Sequence, residues 1–222
     1  MPRYNVQYNF IRMTAAYMPK NNADLLRKRL RSLREAMPVA ERQQSSAQLC
    51  SELGLWFEAR HLLRSPKSEI VAGFWPLTHE PDLRPLFHRL HVTGTTVALP
   101  VVVKKHAPLE FHAWEPADNL NPGPFGVLEP TQGSVMQPTV LLVPTLGFND
   151  HGERIGYGGG YYDRTLAALS NTGIPFTAIG IAWDQARLDE DAEHSAQPHD
   201  HPLDTILTPS GWVKITPKAK AL

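Results

Sequence analysis

The stretch TVLLVPTLGFNDHGERIGYGGGYYDR, residues 139–164, joins a continuous apolar run to a loop in which four of five consecutive residues are glycine. Residues 139–144 have the unbroken apolar character of a central strand in a parallel sheet, which is buried on both faces. A short helix is predicted for residues 161–170, directly after the glycines. A strand, a glycine-rich loop and a helix in this order predict one unit of an α/β fold.

The rest of the chain repeats this alternation of strands and helices. Further helices are predicted over residues 24–37, 41–53 and 82–94. Further strands are predicted over residues 69–76, 96–102, 109–114, 176–183 and 204–209. The strand 109–114 alternates in polarity, as an edge strand does, and the strand 204–209 is predicted to be the last. We therefore predict one three-layer α/β domain, Rossmann-like, with a largely parallel sheet flanked by helices.

The first predicted helix, residues 24–37, is basic and amphipathic. One apolar stripe is predicted from Leu25, Leu26, Leu30, Leu33 and Met37. We expect the domain to span residues 23–213, with a disordered extension over 1–22 and an unstructured tail over 214–222.

Composition narrows the class of protein. The 222 residues include 22 basic and 22 acidic side chains, so net charge gives no reason to expect a nucleic-acid or membrane partner. No apolar run approaches the roughly 20 residues of a membrane span, and residues 1–20 lack the apolar core of a signal peptide. The single cysteine, Cys50, excludes an intrachain disulfide and suits the cytoplasm. It lies in a helical pattern and is predicted to be a small buried thiol rather than a nucleophile.

The glycine loop favours an anion-binding function. Consecutive glycines let backbone N–H groups approach an anion closely, and the helix that follows directs its positive end to the same place. Arg154 precedes the loop and can donate two hydrogen bonds to a phosphate. The loop matches neither the Walker motif nor the dinucleotide fingerprint, and a flexible surface loop is the alternative. Asp163 either favours the helix dipole or holds Mg²⁺ against phosphates.

The segment VPTLGFNDHGERIGYGGGYYDRTL, residues 143–166, resembles the signature of the 5-formyltetrahydrofolate cyclo-ligase family, also called methenyltetrahydrofolate synthetases. Other blocks agree in order: DLLRKRLRSLREAMP (24–38), FWPLTHEPDLRPLFHRL (74–90), VALPVV (97–102), FGVLEP (125–130), IAWDQ (181–185), HDHPLD (199–204) and ILTPSG (206–211). The resemblance covers about residues 23–213.

The resemblance implies an ATP- and Mg²⁺-dependent enzyme that converts 5-formyltetrahydrofolate to 5,10-methenyltetrahydrofolate, with Arg154 and Tyr161 as catalytic residues. Residues implied at the ATP site are Arg27, Arg154, Gly156, Tyr157, Gly158, Gly159, Gly160, Tyr161 and Tyr162. Residues implied in the folate pocket are Trp75, Glu80, Phe125, Tyr161 and Tyr162. Asp163 and Asp200 are implied to hold Mg²⁺. A cytoplasmic protein that is a monomer or a weak dimer is expected.

Two positions depart from the family pattern. Some members carry lysine where this chain has Gly159, and the family's first basic residue falls at Ala23, one turn after Lys20. The alternative hypothesis is therefore a non-catalytic or repurposed relative that binds a folate or a nucleotide. A sugar-phosphate isomerase on a related scaffold is a third hypothesis, which rests on fold analogy.

Histidines cluster near the carboxyl end, over residues 189–204. His194, His199 and His201 could suggest zinc, but neither a cysteine nor a helical His-x-x-x-His pair accompanies them. A solvated loop is the favoured interpretation.

Overall fold

The computed structural model describes residues 20–188 and 201–216. This part of the chain contains four α-helices: α1 (Lys20–Ala36), α2 (Val39–His61), α3 (Arg84–Val92) and α4 (Tyr161–Asn171). The strands are β1 (Ile70–Ala72), β2 (Thr96–Val101), β3 (Glu110–Trp114), β4 (Leu120–Pro122), β5 (Leu128–Pro130), β6 (Val135–Met136), β7 (Val140–Pro144), β8 (Gly147–Phe148), β9 (Arg154–Ile155), β10 (Thr177–Ile181), β11 (Thr205–Thr208) and β12 (Gly211–Val213). None of the helices described is both long enough and apolar enough to cross a membrane.

Eight strands form one mixed sheet in the order β12-β11-β10-β7-β1-β2-β3-β6. The central strands from β11 to β2 are all parallel to their neighbours. Antiparallel strands complete the sheet at both margins, β12 on one side and β3 with β6 on the other. The prediction of a largely parallel sheet flanked by helices is confirmed. Two short hairpins, β4–β5 and β8–β9, form separate two-stranded sheets.

Helices cover both faces of the sheet, as the uninterrupted apolar run in β7 requires. Val140 and Leu142 belong to one core cluster, whereas Leu141 and Val143 belong to another, because successive side chains of a strand point to opposite faces. The first cluster also contains side chains of α2 and α3, including Leu49, Leu53, Phe57 and Phe87. The second contains Leu166 of α4. Full burial of each large aliphatic side chain contributes about 1.5–3 kcal/mol.

Helix α1 packs on the β8–β9 hairpin. Leu26 and Leu30 form a small cluster with Leu146, Ile155 and Leu188. The predicted apolar stripe is wrong at two positions, because Leu25 is 64% exposed and Leu33 is 42% exposed. Arg34 is buried on the inner face of α1 instead, at 5% exposure.

Some predicted element boundaries also differ from the structure. The first strand stops at Ala72 rather than 76 because the chain leaves the sheet there to form a cavity wall. Helix α2 continues past Gly54 to His61. Gly54 does not end the helix but makes room for the Arg89 guanidinium, which would lie 1.3 Å from an added Cβ.

The sheet also extends further than predicted at both margins. Strand β3 is not an edge strand, since β6 pairs with it. Strand β12 follows the segment that was predicted to be the last strand. The predicted extension and tail fall largely outside the described residues, although α1 already begins at Lys20 and the Thr216 amide donates to the Asp150 carbonyl at 2.7 Å.

Candidate active site

A cavity of about 360 Å³ opens at the carboxyl edge of the parallel strands. Trp75 follows β1, Val102 follows β2 and Pro144 ends β7, and all three line it. Helix α1, the β4–β5 loop and the glycine loop complete its wall. Open α/β sheets bind ligands at this edge, and the volume lies in the usual range for small-molecule sites.

The glycine loop connects β9 to the first turn of α4. Gly158 has φ +93° and Gly160 has φ +66°, in the left-handed region that side chains other than glycine rarely adopt. Gly160 is the residue that precedes α4. The loop therefore bends sharply and presents its backbone to the cavity beside the positive end of a helix.

Three guanidinium groups lie close to this backbone, at Gly156, Gly158 and Gly160. An added Cβ would lie 2.7 Å from Arg154 Nη1 at Gly156, 3.4 Å from Arg27 Cζ at Gly158 and 2.7 Å from Arg164 Nη1 at Gly160. Arg27 Nε also donates to the Gly156 carbonyl at 3.1 Å. Arg164 Nη2 donates to the Gly159 carbonyl at 2.8 Å. A backbone surrounded by cations suits an anionic ligand.

Arg154 is the most enclosed of these arginines. Its side chain is 5% exposed, and Nη2 donates to Asp163 Oδ1 at 2.6 Å. Its Nε is buried and has no hydrogen-bond partner within the described residues. A buried donor left unpaired costs about 1–3 kcal/mol, so this atom is a functional candidate. The donor set fits a phosphate group.

Asp163 fits a magnesium ion only as one part of its coordination. It lies in the first turn of α4 and is already paired with Arg154. Asp200, the second predicted ligand, lies outside the described residues. Within residues 20–188 and 201–216 no group of three or more His, Cys, Asp or Glu side chains could hold a metal. Magnesium takes one or two carboxylates and completes its shell with water and phosphate oxygens, so Asp163 is chemically suitable.

Glu80 also lines the cavity, with its side chain 3% exposed. Its Oε2 accepts the Leu77 amide at 2.8 Å, and its Oε1 accepts the Tyr157 hydroxyl in a short hydrogen bond. The guanidinium of Arg34 is 3.6 Å from Oε1. Burial, followed by the charge of Glu80, raises the pKa of Tyr157 above its ordinary value. The Tyr157 phenol therefore stays protonated and donates.

The hydroxyl of Tyr157 thus faces Glu80, although the family resemblance implied that this residue lies at the ATP phosphates. Its backbone lies in the glycine loop, and the residue lines the same cavity. Only the loop position could be inferred from sequence, because the direction of the side chain depends on how α1 packs beside it.

Aromatic side chains form the remaining wall. Phe125 is 71% exposed and has φ +66°, and its ring centroid lies 5.8 Å from that of Tyr161 in an edge-to-face arrangement. Burial raises the pKa of Tyr162. All the residues predicted for the folate pocket line the one cavity: Trp75, Glu80, Phe125, Tyr161 and Tyr162. So do Arg27, Asp163 and the glycine loop.

Three residues near the cavity had no assigned role in the sequence analysis. The burial of Arg34 could have been inferred from its spacing, since it stands four positions after Leu30 on the same face of α1. Arg164 ended the glycine motif without a role. Glu129 lines the cavity, accepts the Val102 amide at 3.3 Å and has a pKa raised by burial.

Cys50 lies outside this cavity, and its prediction as a buried thiol is confirmed. Its Sγ lies 3.4 Å from the Asp82 carbonyl, and burial raises its pKa to about 11. A thiol that stays protonated at neutral pH is a poor nucleophile.

Solved structures of known proteins resemble this fold closely. The NMR structure of a 5,10-methenyltetrahydrofolate synthetase from Aquifex aeolicus superposes with a TM-score of 0.69 at 26% identity, over 90% of this chain and 95% of that one. A 5,10-methenyltetrahydrofolate synthetase from Mycoplasma pneumoniae superposes with a TM-score of 0.65 at 23% identity, over 85% of this chain and 99% of that one, which supports the fold alone.

Sequence relatives agree. A 5-formyltetrahydrofolate cyclo-ligase from Mycolicibacterium smegmatis is 32% identical over 148 residues, which are 63% of this chain and 73% of the relative. One from Escherichia coli is 30% identical over 146 residues, which are 63% of this chain and 78% of the relative. The model of the 5-formyltetrahydrofolate cyclo-ligase family matches residues 19–209. Because that match spans most of the sequence, this chain belongs to the 5-formyltetrahydrofolate cyclo-ligase family.

Proposed function

We propose that the protein closes the 5-formyl group of 5-formyltetrahydrofolate onto N10, consuming ATP and releasing 5,10-methenyltetrahydrofolate, ADP and phosphate. One observation carries this proposal beyond family membership. A single cavity joins a glycine loop bordered by arginines to an aromatic wall that contains a buried carboxylate. The first half suits a polyphosphate, the second suits a flat heterocycle, and the reaction needs both in contact.

The chemistry requires an activated carbonyl. A formamide carbon is a weak electrophile and its oxygen is a poor leaving group. Transfer of the γ-phosphoryl group to the formyl oxygen breaks the bond between that phosphorus and the bridging oxygen, and ADP leaves. N10 then attacks the formyl carbon and loses its proton, the carbon–oxygen bond breaks, and phosphate departs. No covalent bond to the protein forms, so the protein acts by positioning and by stabilising charge.

Three arginines that border the glycine loop would bind the phosphates and stabilise their charge. Arg154 offers a buried guanidinium whose Nε lacks a partner among the described residues. Arg27 and Arg164 add charge at Gly158 and Gly160. A lysine at position 159 would require Tyr161 to move, since a Cβ there would already lie 3.0 Å from its ring. We infer that Arg164 supplies the cation that a lysine supplies in other family members.

The aromatic wall and Glu80 would bind the folate. Trp75, Phe125 and Tyr161 can pack against the pterin ring. Glu80 keeps lone pairs free beyond the two hydrogen bonds it accepts, and an ionised carboxylate can accept two more from the guanidine-like edge of the pterin.

Magnesium would supply charge neutralisation between the phosphates. Asp163 is the described residue we propose to hold it, and Asp200 is the second ligand we propose. Within the protein, Arg154 Nη2 donates to Asp163 Oδ1 at 2.6 Å and so restrains that carboxylate.

The activity test is direct. Purified protein is mixed with ATP, Mg²⁺ and 5-formyltetrahydrofolate, and the absorbance of the methenyl product is followed together with ADP release. We expect both signals to appear in equal amounts and to vanish without ATP. Product formation that is independent of ATP, or no product at all, would exclude the proposed reaction.

The alternative is a repurposed relative that binds folate or nucleotide without turnover. The Ala23 and Gly159 departures motivate it, and Ala23 does line the cavity. Tight folate binding without ADP release would favour this alternative. We further propose a cytoplasmic monomer or weak dimer, which suits the single free thiol. Sedimentation at two protein concentrations tests the assembly state.

A further inference from the structure

The backbone of Tyr157 lies in the glycine loop, whereas its side chain extends to Glu80, the carboxylate proposed to bind the pterin. Gly156 and Gly158 flank it, and its hydroxyl donates to Glu80. The side chain therefore crosses the cavity wall from one half of the site to the other. A change in the position of the loop reaches Glu80 through this one hydrogen bond.

Arg34 contacts the same Tyr157 hydroxyl. Its Nη1 donates to the Tyr157 hydroxyl, and its Nη2 donates to the Thr145 carbonyl at 2.9 Å. Thr145 directly follows strand β7 of the central sheet. The arginine is thus anchored to the sheet, and its charge lies 3.6 Å from Glu80 Oε1. Arg34, Tyr157 and Glu80 form a chain of hydrogen bonds whose two charged ends are buried, whereas Tyr157 between them is 37% exposed.

Such a chain responds sharply to small displacements. Hydrogen bonds weaken steeply outside a narrow range of distance and angle, and buried polar groups left unpaired are costly. A phosphate that binds the loop amides fixes the position of the loop and therefore the position of the Tyr157 hydroxyl. That hydroxyl in turn orients the Glu80 carboxylate. A pterin that fixes the Glu80 carboxylate also restrains Tyr157 and the loop, because coupling between two binding sites is reciprocal.

We propose that Tyr157 and Arg34 are positioning residues that couple nucleotide binding at the glycine loop to folate binding at Glu80. Each ligand then binds more tightly when the other is present, which favours the complex in which both reactants are aligned. This inference rests on the proposed function, in which phosphates occupy the loop and the pterin contacts Glu80.

Calorimetric titration measures the coupling. The affinity for 5-formyltetrahydrofolate is determined with and without an ATP analogue whose β,γ-bridging oxygen is replaced by carbon, so that no turnover occurs. In the unmodified protein we expect the analogue to tighten folate binding roughly fivefold or more. The folate should tighten analogue binding by the same factor.

The Tyr157→Phe variant removes only the hydroxyl. We expect both ligands still to bind, with a coupling factor that falls to less than about twofold. Arg34→Lys is the second variant, because lysine keeps the charge but loses the fork that contacts both Thr145 and Tyr157. It should lower the factor without abolishing either binding event.

Thr139→Val is the matched control. Its hydroxyl also bridges two elements, accepting the Ile70 amide at 3.0 Å, but it lies at the opposite edge of the sheet. This variant should keep the full coupling factor. Coupling retained in Tyr157→Phe, or absent from the unmodified protein while both ligands bind, would overturn the inference. An unmodified protein that binds neither ligand would instead overturn the proposed function.

Discussion

Replacing Arg154 by alanine tests the proposed phosphate site most directly. The side chain is 5% exposed, contacts Asp163 at 2.6 Å and carries a buried Nε that lacks a partner in the described part of the chain. If the γ-phosphate is that missing partner, the guanidinium stabilises charge that grows during phosphoryl transfer. Its loss should therefore lower kcat rather than only raise the KM for ATP.

The expected size of this effect follows from the enclosure of the group. Removing one preorganised donor from a water-excluded site costs about 10²–10³ in kcat, or about 2.7–4 kcal/mol. The cost in stability should be smaller than for a fully buried ion pair, because the Asp163 side chain keeps 21% exposure. We expect the melting temperature to fall by less than about 10 °C, since 1 kcal/mol shifts it by about 2–4 °C in a chain of this size.

The assay follows the methenyl chromophore at saturating folate while ATP is varied, with a thermal melt of each variant. Arg187→Ala is the control, because it also removes an arginine that is ion-paired with an aspartate, Asp150 in the turn of the same hairpin. Arg187 does not line the cavity. The control should therefore turn over within about twofold of the unmodified protein.

A folded Arg154→Ala variant that turns over within about threefold of the unmodified enzyme would refute this reasoning. Loss of turnover together with loss of the folded state would leave Arg154→Lys as the deciding variant. Lysine keeps the charge but not the two-pronged geometry, so we expect it to recover stability while kcat stays at least about tenfold low.

Three further outcomes are expected. Glu80→Gln should raise the KM for 5-formyltetrahydrofolate about 10- to 100-fold and the KM for ATP much less, because hydrogen bonds to a charged group contribute about 1.5–3 kcal/mol. Gly158→Ala should weaken binding of the ATP analogue in calorimetry, since φ is +93° there and alanine would strain the loop. Cys50 should resist iodoacetamide at pH 8 in the folded protein. Stability should fall as pH rises from about 9 to about 11, because the thiol of the unfolded chain ionises in that range while the buried thiol stays protonated.

Local patterns predicted much of the site because its chemistry is concentrated in one segment. The glycine loop, Arg154 and Tyr161 are adjacent in sequence, and strand–loop–helix order alone places them at the ligand-binding edge of an α/β sheet. Trp75 and Glu80 could be assigned only through the family resemblance. The local sequence around Glu80 alone predicts an exposed polar turn, whereas the Glu80 side chain is 3% exposed.

Arg34 shows why side-chain partners could not be predicted in the same way. A helical pattern with five apolar residues indicated a continuous stripe, yet Leu25 and Leu33 face solvent while Arg34 is buried. Helix α1 packs on a narrow hairpin rather than on the wide sheet, so fewer apolar positions find cover. The buried arginine is tolerated because its donors meet the Thr145 carbonyl and the Tyr157 hydroxyl.

The amino-acid sequence alone therefore determined the α/β class, the position of the glycine loop and the family, since these depend on periodicity and on residues that are near neighbours in the chain. Only the tertiary structure decided that Tyr157 turns from that loop toward Glu80, with Arg34 behind it. Those three residues are separated by up to 123 positions, and their contacts arise from how α1, the residues after β1 and the glycine loop pack together. Periodicity describes which face of an element is buried, but it contains no information about which distant polar group completes a buried hydrogen bond.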